Sequence, residues 1–242
     1  MDRKNKILTL MAFLLSIGSS AMEAADEVAV VLFVTGEASY SQRGKKGKVS
    51  KNLVLGKEDT LDTSNGRVDL QVGSSAVIRV APFSKIKISE LSSTSKDNSS
   101  TVELVSGKIF AKVDKSPRKE NFTVTSASYT AGVRGTQFVI SEEPKGSNPQ
   151  AHEHSDIPDG IFVKEGEVGV SSSAGRDFSL NADEQAVQSQ EGLLKQPLAE
   201  FMKEKMRVMD QFKKLSDENY QLLKEQKLKN QQLLESTKSG IK

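Results

Sequence analysis

The chain contains no cysteine. Disulfides therefore contribute nothing to its stability, and a thiol nucleophile, a cysteine metal site and a lipid-modified N-terminal cysteine are all excluded. Histidine is nearly as scarce. His152 and His154 share one short segment, which leaves no context for a Ser-His-Asp triad, and no phosphate-cradling glycine loop of the required spacing occurs. Neither sign of charge dominates: Lys+Arg 34 against Asp+Glu 32 gives a net +2. The balance stays near neutral without residues 1–25, where Arg3, Lys4 and Lys6 oppose Asp2 and Glu23. Nucleic acid is thereby a poor main partner. Long apolar runs are missing too, except for Ile7 to Ile17, which falls short of the roughly 20 residues that span a bilayer.

That run defines a secretory signal over residues 1–25. A basic start precedes it and Gly18-Ser19-Ser20-Ala21 follows it, with Ser19-Ser20-Ala21 the best small-x-small cleavage site and Ala24 or Ala25 looser ones. The mature protein is expected to be exported, and soluble or peripheral to a membrane. With 36% hydrophobic and 27% charged residues, the chain has enough apolar material for one core plus an appendage.

From about residue 27 to 190 the pattern is all-β. Short apolar runs of period two, rich in Val, Ile, Thr and Phe, are separated by Gly, Ser, Asn, Asp and Lys. Strands are expected at 28–35, 67–72, 76–80, 85–89, 101–105, 108–113, 121–125, 137–141, 160–164, 167–171 and 185–188. Pro82, Pro117, Pro144, Pro149 and Pro158 all fall at breaks between them. Leu91 to Ser100 reads as a polar loop and Glu142 to Asp159 as a long one.

A weak repeat of the form apolar-x-x-Gly-x-apolar-x-apolar runs through this region. Its copies are Phe33/Gly36/Ala38/Tyr40, Leu104/Gly107/Ile109/Ala111 and Val163/Gly166/Val168/Val170, with a degenerate one at Leu180/Asp183/Gln185/Val187. It describes a strand, a glycine-dependent turn or bulge, and a second strand in the inward register. Stacked solenoid-like or sandwich-like layers and ordinary hairpins both satisfy it.

Past Gly192 the composition turns helical. Leu198, Phe201, Val208, Phe212, Leu215 and Leu222 form an apolar stripe, with Asn219 on the seam. The expectation is an amphipathic helix over 194–236, then a disordered end at 237–242. The helix would form a coiled coil with a second copy, or dock on a partner or on its own β domain.

One element stands apart: Thr130-Ala131-Gly132-Val133-Arg134-Gly135-Thr136-Gln137-Phe138, where glycines bracket a Val-Arg pair and lead into a strand. It resembles the GVRGT-x-F signature of the FecR-type domain. Other segments resemble that family in order. They are Asp59-Thr60-Leu61-Asp62-Thr63, with Glu58 where glycine is usual; Arg67 to Leu70; Gly73-Ser74, with Val72 in an aspartate place; Ile78-Arg79-Val80; Pro82, Ser84, Ile86 and Ile88; Leu104, Gly107 and Val113; and Phe122 to Thr125. The resemblance covers about Val31 to Val187. It implies an all-β envelope module for protein contact and signal relay without catalytic residues. Relay members place a sigma-factor-binding segment before a membrane span, whereas here six residues precede the apolar run, so direct cytoplasmic signalling is not expected.

Gly132, Val133, Arg134, Gly135 and Thr136 are expected to be a structural motif, Arg134 holding the carbonyls of the kink, with contact to an acidic partner as the alternative. Arg43, Lys45, Lys46, Lys48 and Lys51 mark a basic hairpin tip. It is either a simply solvated edge or a binding site for an acidic protein, anionic glycan or lipid headgroups. His152 and His154, with Asp156 and Asp159, read as a solvated loop rather than a metal site, because side chains at i and i+2 of an extended segment diverge. The sequence thus describes a mainly β, exported, non-enzymatic binding adaptor or relay protein of the periplasm or cell envelope. No cofactor is expected, and its partner is an envelope protein or anionic polymer. A structural protein held peripherally at a membrane or cell wall is the alternative. A glycan-cleaving carboxylate pair, which would converge only in space, ranks last.

Overall fold

The structure is a computed structural model that describes residues 28–93, 97–115, 119–143, 156–173, 175–210 and 229. Its strands are β1 (Ala29–Thr35), β2 (Ser39–Gln42), β3 (Lys45–Lys48), β4 (Val54–Leu55), β5 (Thr60–Asp62), β6 (Arg67–Val72), β7 (Ala76–Val80), β8 (Lys85–Ser93), β9 (Asp97–Val113), β10 (Lys119–Thr125), β11 (Tyr129–Glu142), β12 (Gly160–Ser172), β13 (Asp177–Asn181), β14 (Glu184–Ser189) and β15 (Gly192–Pro197). One helix follows, α1 (Glu200–Met206), which tightens into a 3-10 turn at Arg207–Met209.

All strands belong to one hydrogen-bonded network, which divides into a first and a second run. The first is β4-β1-β6-β7, then the C-terminal half of β9, the C-terminal half of β11, the N-terminal half of β12, β14 and β15. The second is β3-β2-β5-β8, then the N-terminal halves of β9 and β11 with β10 between them, the C-terminal half of β12, and β13. Nearly all pairings are antiparallel; β9 with β10 is parallel. One apolar cluster takes side chains from both runs, among them Leu70, Ile78, Ile109, Phe138 and Ile161 from the first and Leu61, Ile86, Val102, Phe122 and Val168 from the second.

The repeat marks where the chain passes from one run to the other. Gly36 joins β1 to β2, Gly107 bends β9, Gly166 bends β12 and Asp183 joins β13 to β14, all with positive φ (71, 91, 82 and 61°). The remaining described passages do the same with Asn52, Glu58, Ser64, Phe83 and Gly135. A left-handed residue turns the backbone sharply while leaving the next residue free to restart a strand. Gly107 shows the requirement most directly: a Cβ there would collide with the backbone and side chain of Ser84. Glycine inside a strand thus bends it without ending it, so 101–105 with 108–113, and 160–164 with 167–171, are single strands.

Two further expectations are corrected. Leu91 to Ser100 is mostly ladder: Leu91 pairs with Ser100, Ser92 with Ser99 and Ser93 with Asn98. Main-chain pairing between two neighbouring arms does not require apolar side chains, so polarity alone misreads the segment. The helix expected from 194 begins later, because Leu193 to Gln196 pair with Gln188 to Gln185 at the edge of β14, and that pairing overrides the helical propensity of Leu, Lys and Gln.

Helix α1 lies on the outer face of the first run. Leu198, Met202, Met206 and Met209 bury themselves against Val77, Val139, Ile157 and Phe162. The inward stripe is therefore 198, 202, 206 and 209, at helical i, i+4, i+8 and i+11, whereas Phe201 faces away and is 45% exposed. Of the residues expected to mediate helix association, Leu198 and Val208 pack on this chain's own sheet. Phe212, Leu215, Asn219 and Leu222 lie outside the described residues, as do residues 1–25. Among the described residues no helix is long enough for a coiled coil or long and apolar enough to cross a membrane.

Candidate functional site

The basic tip is a tight hairpin. Arg43 and Gly44 form its two-residue loop, both with positive φ (49 and 79°), the twist that matches flanking antiparallel strands. Arg43, Lys45, Lys46, Lys48 and Lys51 are all exposed, and none has an ion pair among the described residues. Among the described residues β3 pairs with β2 alone, so its other edge carries no strand. Below the tip, buried Asp59 accepts hydrogen bonds from Gln42 Nε2 (2.7 Å) and the Gly56 amide (2.8 Å), which ties the hairpin to the β4–β5 turn.

The GVRGT element divides in two. Val133 and Thr136 are buried, and Gly135, at φ 63°, forms the bulge where β11 changes partner from β10 to β9. Arg134 holds no carbonyl of another described residue. Its side chain is exposed, opposite exposed Glu167, with no hydrogen bond to another described residue. Gly132 is exposed beside it, opposite Gly169, and nothing lies within 4 Å of where its Cβ would stand. Strand alternation explains the division: 131 and 133 point into the core, so 132 and 134 point out.

Other residues of the resemblance sit at joints of the fold. Thr63 Oγ1 is placed to donate to the carbonyl of Ala81 (2.6 Å) or Ser84 (3.0 Å) and accepts from the Ser84 amide (2.9 Å), while Ser84 Oγ accepts from the Lys108 amide (2.9 Å). Thr63, Ser84 and Gly107 thereby lock three passages between the runs at one corner. Glu58, standing where glycine is usual, has φ 71°. Its amide bonds the Ile88 carbonyl at 2.7 Å, and its carboxylate meets Lys87 at 2.7 Å, which lowers the Glu58 pKa and raises that of Lys87. Asp69 and Arg79 form a buried two-point pair at 2.6 and 2.8 Å on the outer face of the first run.

A polar cluster that sequence reading missed closes the far end. Glu142 accepts from Ser128 Oγ (2.6 Å) and Ser126 Oγ (3.0 Å), and Tyr129 donates to the carbonyls of Ser141 (2.7 Å) and Gly160 (3.2 Å). Burial, then the charges of Glu142 and Asp159, push the Tyr129 phenol well above its ordinary pKa. Burial also raises Asp159 and lowers Lys108. Each Glu142 oxygen accepts from a serine of the β10–β11 turn, and the residue is 6% exposed, so the cluster ties that turn to the end of β11. Only spatial convergence reveals it, since Ser126 and Glu142 are far apart in sequence. His152 and His154 lie outside the described residues, among which no group of His, Asp and Glu could hold a metal ion.

Residues 59–169 match the family model described as FecR protein. Over this segment the chain is similar to the FecR family. The match runs from buried Asp59 in the β4–β5 turn to Gly169 opposite Gly132, and so covers the Thr63–Ser84–Gly107 corner and the GVRGT bulge. Two crystal structures of a candidate anti-sigma factor from Parabacteroides distasonis ATCC 8503, at 1.65 and 2.50 Å, are similar with TM-scores of 0.45 and 0.44 and identities of 17% and 18%. Each likeness covers 57% of this chain and 59% or 58% of the other, less than two thirds of its length. No curated protein matches the chain.

Proposed function

We propose that this FecR-domain protein is an exported, non-enzymatic adaptor of the cell envelope that works by protein contact. The two runs serve as the layers of a sandwich-like body, and the C-terminal segment docks on that body through the helix that covers the first run. One observation carries the reading. The FecR signature residues Asp59, Thr63, Ser84, Gly107 and Gly135 hold turns and bends together, whereas five cations without an ion pair among the described residues cluster on an exposed edge hairpin. Such a division suits a rigid scaffold that presents a recognition surface. The same unpaired cations also suit the second reading, a structural protein held electrostatically at an anionic surface.

Site-specific photocross-linking from position 46 and from position 201, in the full chain exposed to envelope extract, tests this. The adaptor reading expects one discrete protein adduct from position 46. Sedimentation with phosphatidylglycerol vesicles or isolated cell wall, weakening as salt rises and without any protein adduct, would replace it by the peripheral reading.

A further inference from the structure

We infer that the open edge of β3 is a docking site for an extended acidic polypeptide segment, which adds to the sheet as a further strand. The inference deepens the protein-contact reading above by naming the chemistry of the partner. Three observations carry it: an open edge, a one-sign charge field, and a hairpin held in shape without a partner.

In an antiparallel hairpin closed by a two-residue loop, the closing pair Gln42–Lys45 exchanges main-chain bonds, and so does Tyr40–Gly47. The intervening residues Lys46 and Lys48 therefore aim their N–H and C=O groups at the unpaired edge. Those groups are what an incoming strand requires. The hairpin is already shaped for it, since the Tyr40 ring lies over Gly47 at 2.7 Å from where a Cβ would stand. A groove of about 400 Å³ at this hairpin is lined by Ser39, Lys46, Lys48 and Ser64, with Glu37 also on its wall.

Charge then selects the occupant. From Ser41 to Lys57 the chain carries Arg43, Lys45, Lys46, Lys48, Lys51 and Lys57 and no acidic residue. Cations along an edge commonly serve to prevent edge-to-edge pairing. Here they repel a second copy of the same edge, so self-pairing is disfavoured, but they attract a strand bearing carboxylates; a single device both rejects and selects. Edge strand β15 is different: Lys195 is bonded to Glu184 at 2.8 Å, and Pro197 has no amide hydrogen to offer.

The probe is a short alternating Glu/Val peptide titrated onto the full chain, alongside its Gln/Val counterpart and a copy N-methylated at alternate residues. Binding should weaken about tenfold in the K46E/K48E variant, a surface change that leaves the fold intact. It should fall with salt, be lost on N-methylation, and slow hydrogen exchange at the amides of Lys46 and Lys48. Equal binding of the N-methylated or Gln/Val peptide overturns strand addition or charge selection respectively. Absence of binding, or uptake by phosphatidylglycerol vesicles alone, overturns the assignment of the edge. If a protein adduct still forms from another face of the molecule, the adaptor reading survives that failure.

Discussion

The two runs of the sheet share β9, β11 and β12 and a common core, yet among the described residues the centre of one is covered on both faces and the other on one. In the first run β7 is buried at every position, as is β11 from Thr136 to Glu142, because α1 closes the outer face. In the second, buried and exposed residues alternate: Thr130, Gly132 and Arg134 face out while Ala131 and Val133 face in. The same strand changes habit as it crosses the Gly135 bulge. A glycine bend thus lets one segment build a two-sided interior and then a one-sided surface, which separates the part that must be packed from the part free to recognise.

The sharpest way to break this contrast is to charge each outer face. Met206→Asp would place a carboxylate among Val77, Val139 and Phe162, and we expect a loss of more than about 4 kcal/mol in urea unfolding. Thr130→Asp on the open face should stay within about 0.5 kcal/mol. Similar losses would mean that the second run is covered as well.

Next in size is the Asp69–Arg79 pair beneath the first run's outer face. Asp69→Ala leaves a buried guanidinium without its two-point partner and should cost about 3–5 kcal/mol, whereas Arg134→Ala, on the open face, should change unfolding stability negligibly. The glycines follow. Gly107→Ala must adopt φ 91° against Ser84 and should cost about 3 kcal/mol. Gly132→Ala meets open space and should be near neutral or slightly stabilising. If Gly132→Ala also abolishes partner cross-linking, the open face joins the recognition surface.

Much of this was legible in the residues. Period-two alternation in Lys85-Ile86-Lys87-Ile88 and Phe122-Thr123-Val124-Thr125 gave the one-sided strands, and the glycine repeat marked passages now seen between runs. The unbroken apolar stretches Ala76-Val77-Ile78 and Phe138-Val139-Ile140 carry the signal of a second covered face, which period two alone does not describe. A stripe through Phe201 and one through Met202 are both helical in spacing, and only the face that meets Val139 and Phe162 decides between them. Passages at Asn52, Ser64 and Phe83 were hidden, since only the tertiary path demands a left-handed residue there. The basic hairpin was plain. That β3 is an edge was not, because pairing partners come from distant sequence.

The smallest expected effect probes the rim where the covered run meets solvent. Asp159 is half-buried, accepts a hydrogen bond from Ser141 Oγ at 3.3 Å, and has its pKa raised by burial first, with the charges of Glu143 and Glu142 adding to it. The folded chain therefore keeps the Asp159 proton to higher pH than the unfolded chain does. The associated stability is full below the ordinary aspartate pKa and is lost as pH rises through the folded value, so at neutral pH the ionised carboxylate weakens the fold. Asp159→Asn keeps an acceptor for Ser141, and its Tm should exceed that of the wild type at pH 7, the difference closing as pH falls below the aspartate range. Lys108 opposes this, since the Asp159 charge helps to keep its half-buried ammonium protonated against the downward pull of burial. A lower Tm for Asp159→Asn at pH 7 would show that the Lys108 attraction outweighs the burial of the carboxylate. The rim would then be held by charge pairing, as the buried outer face is held by Asp69 and Arg79.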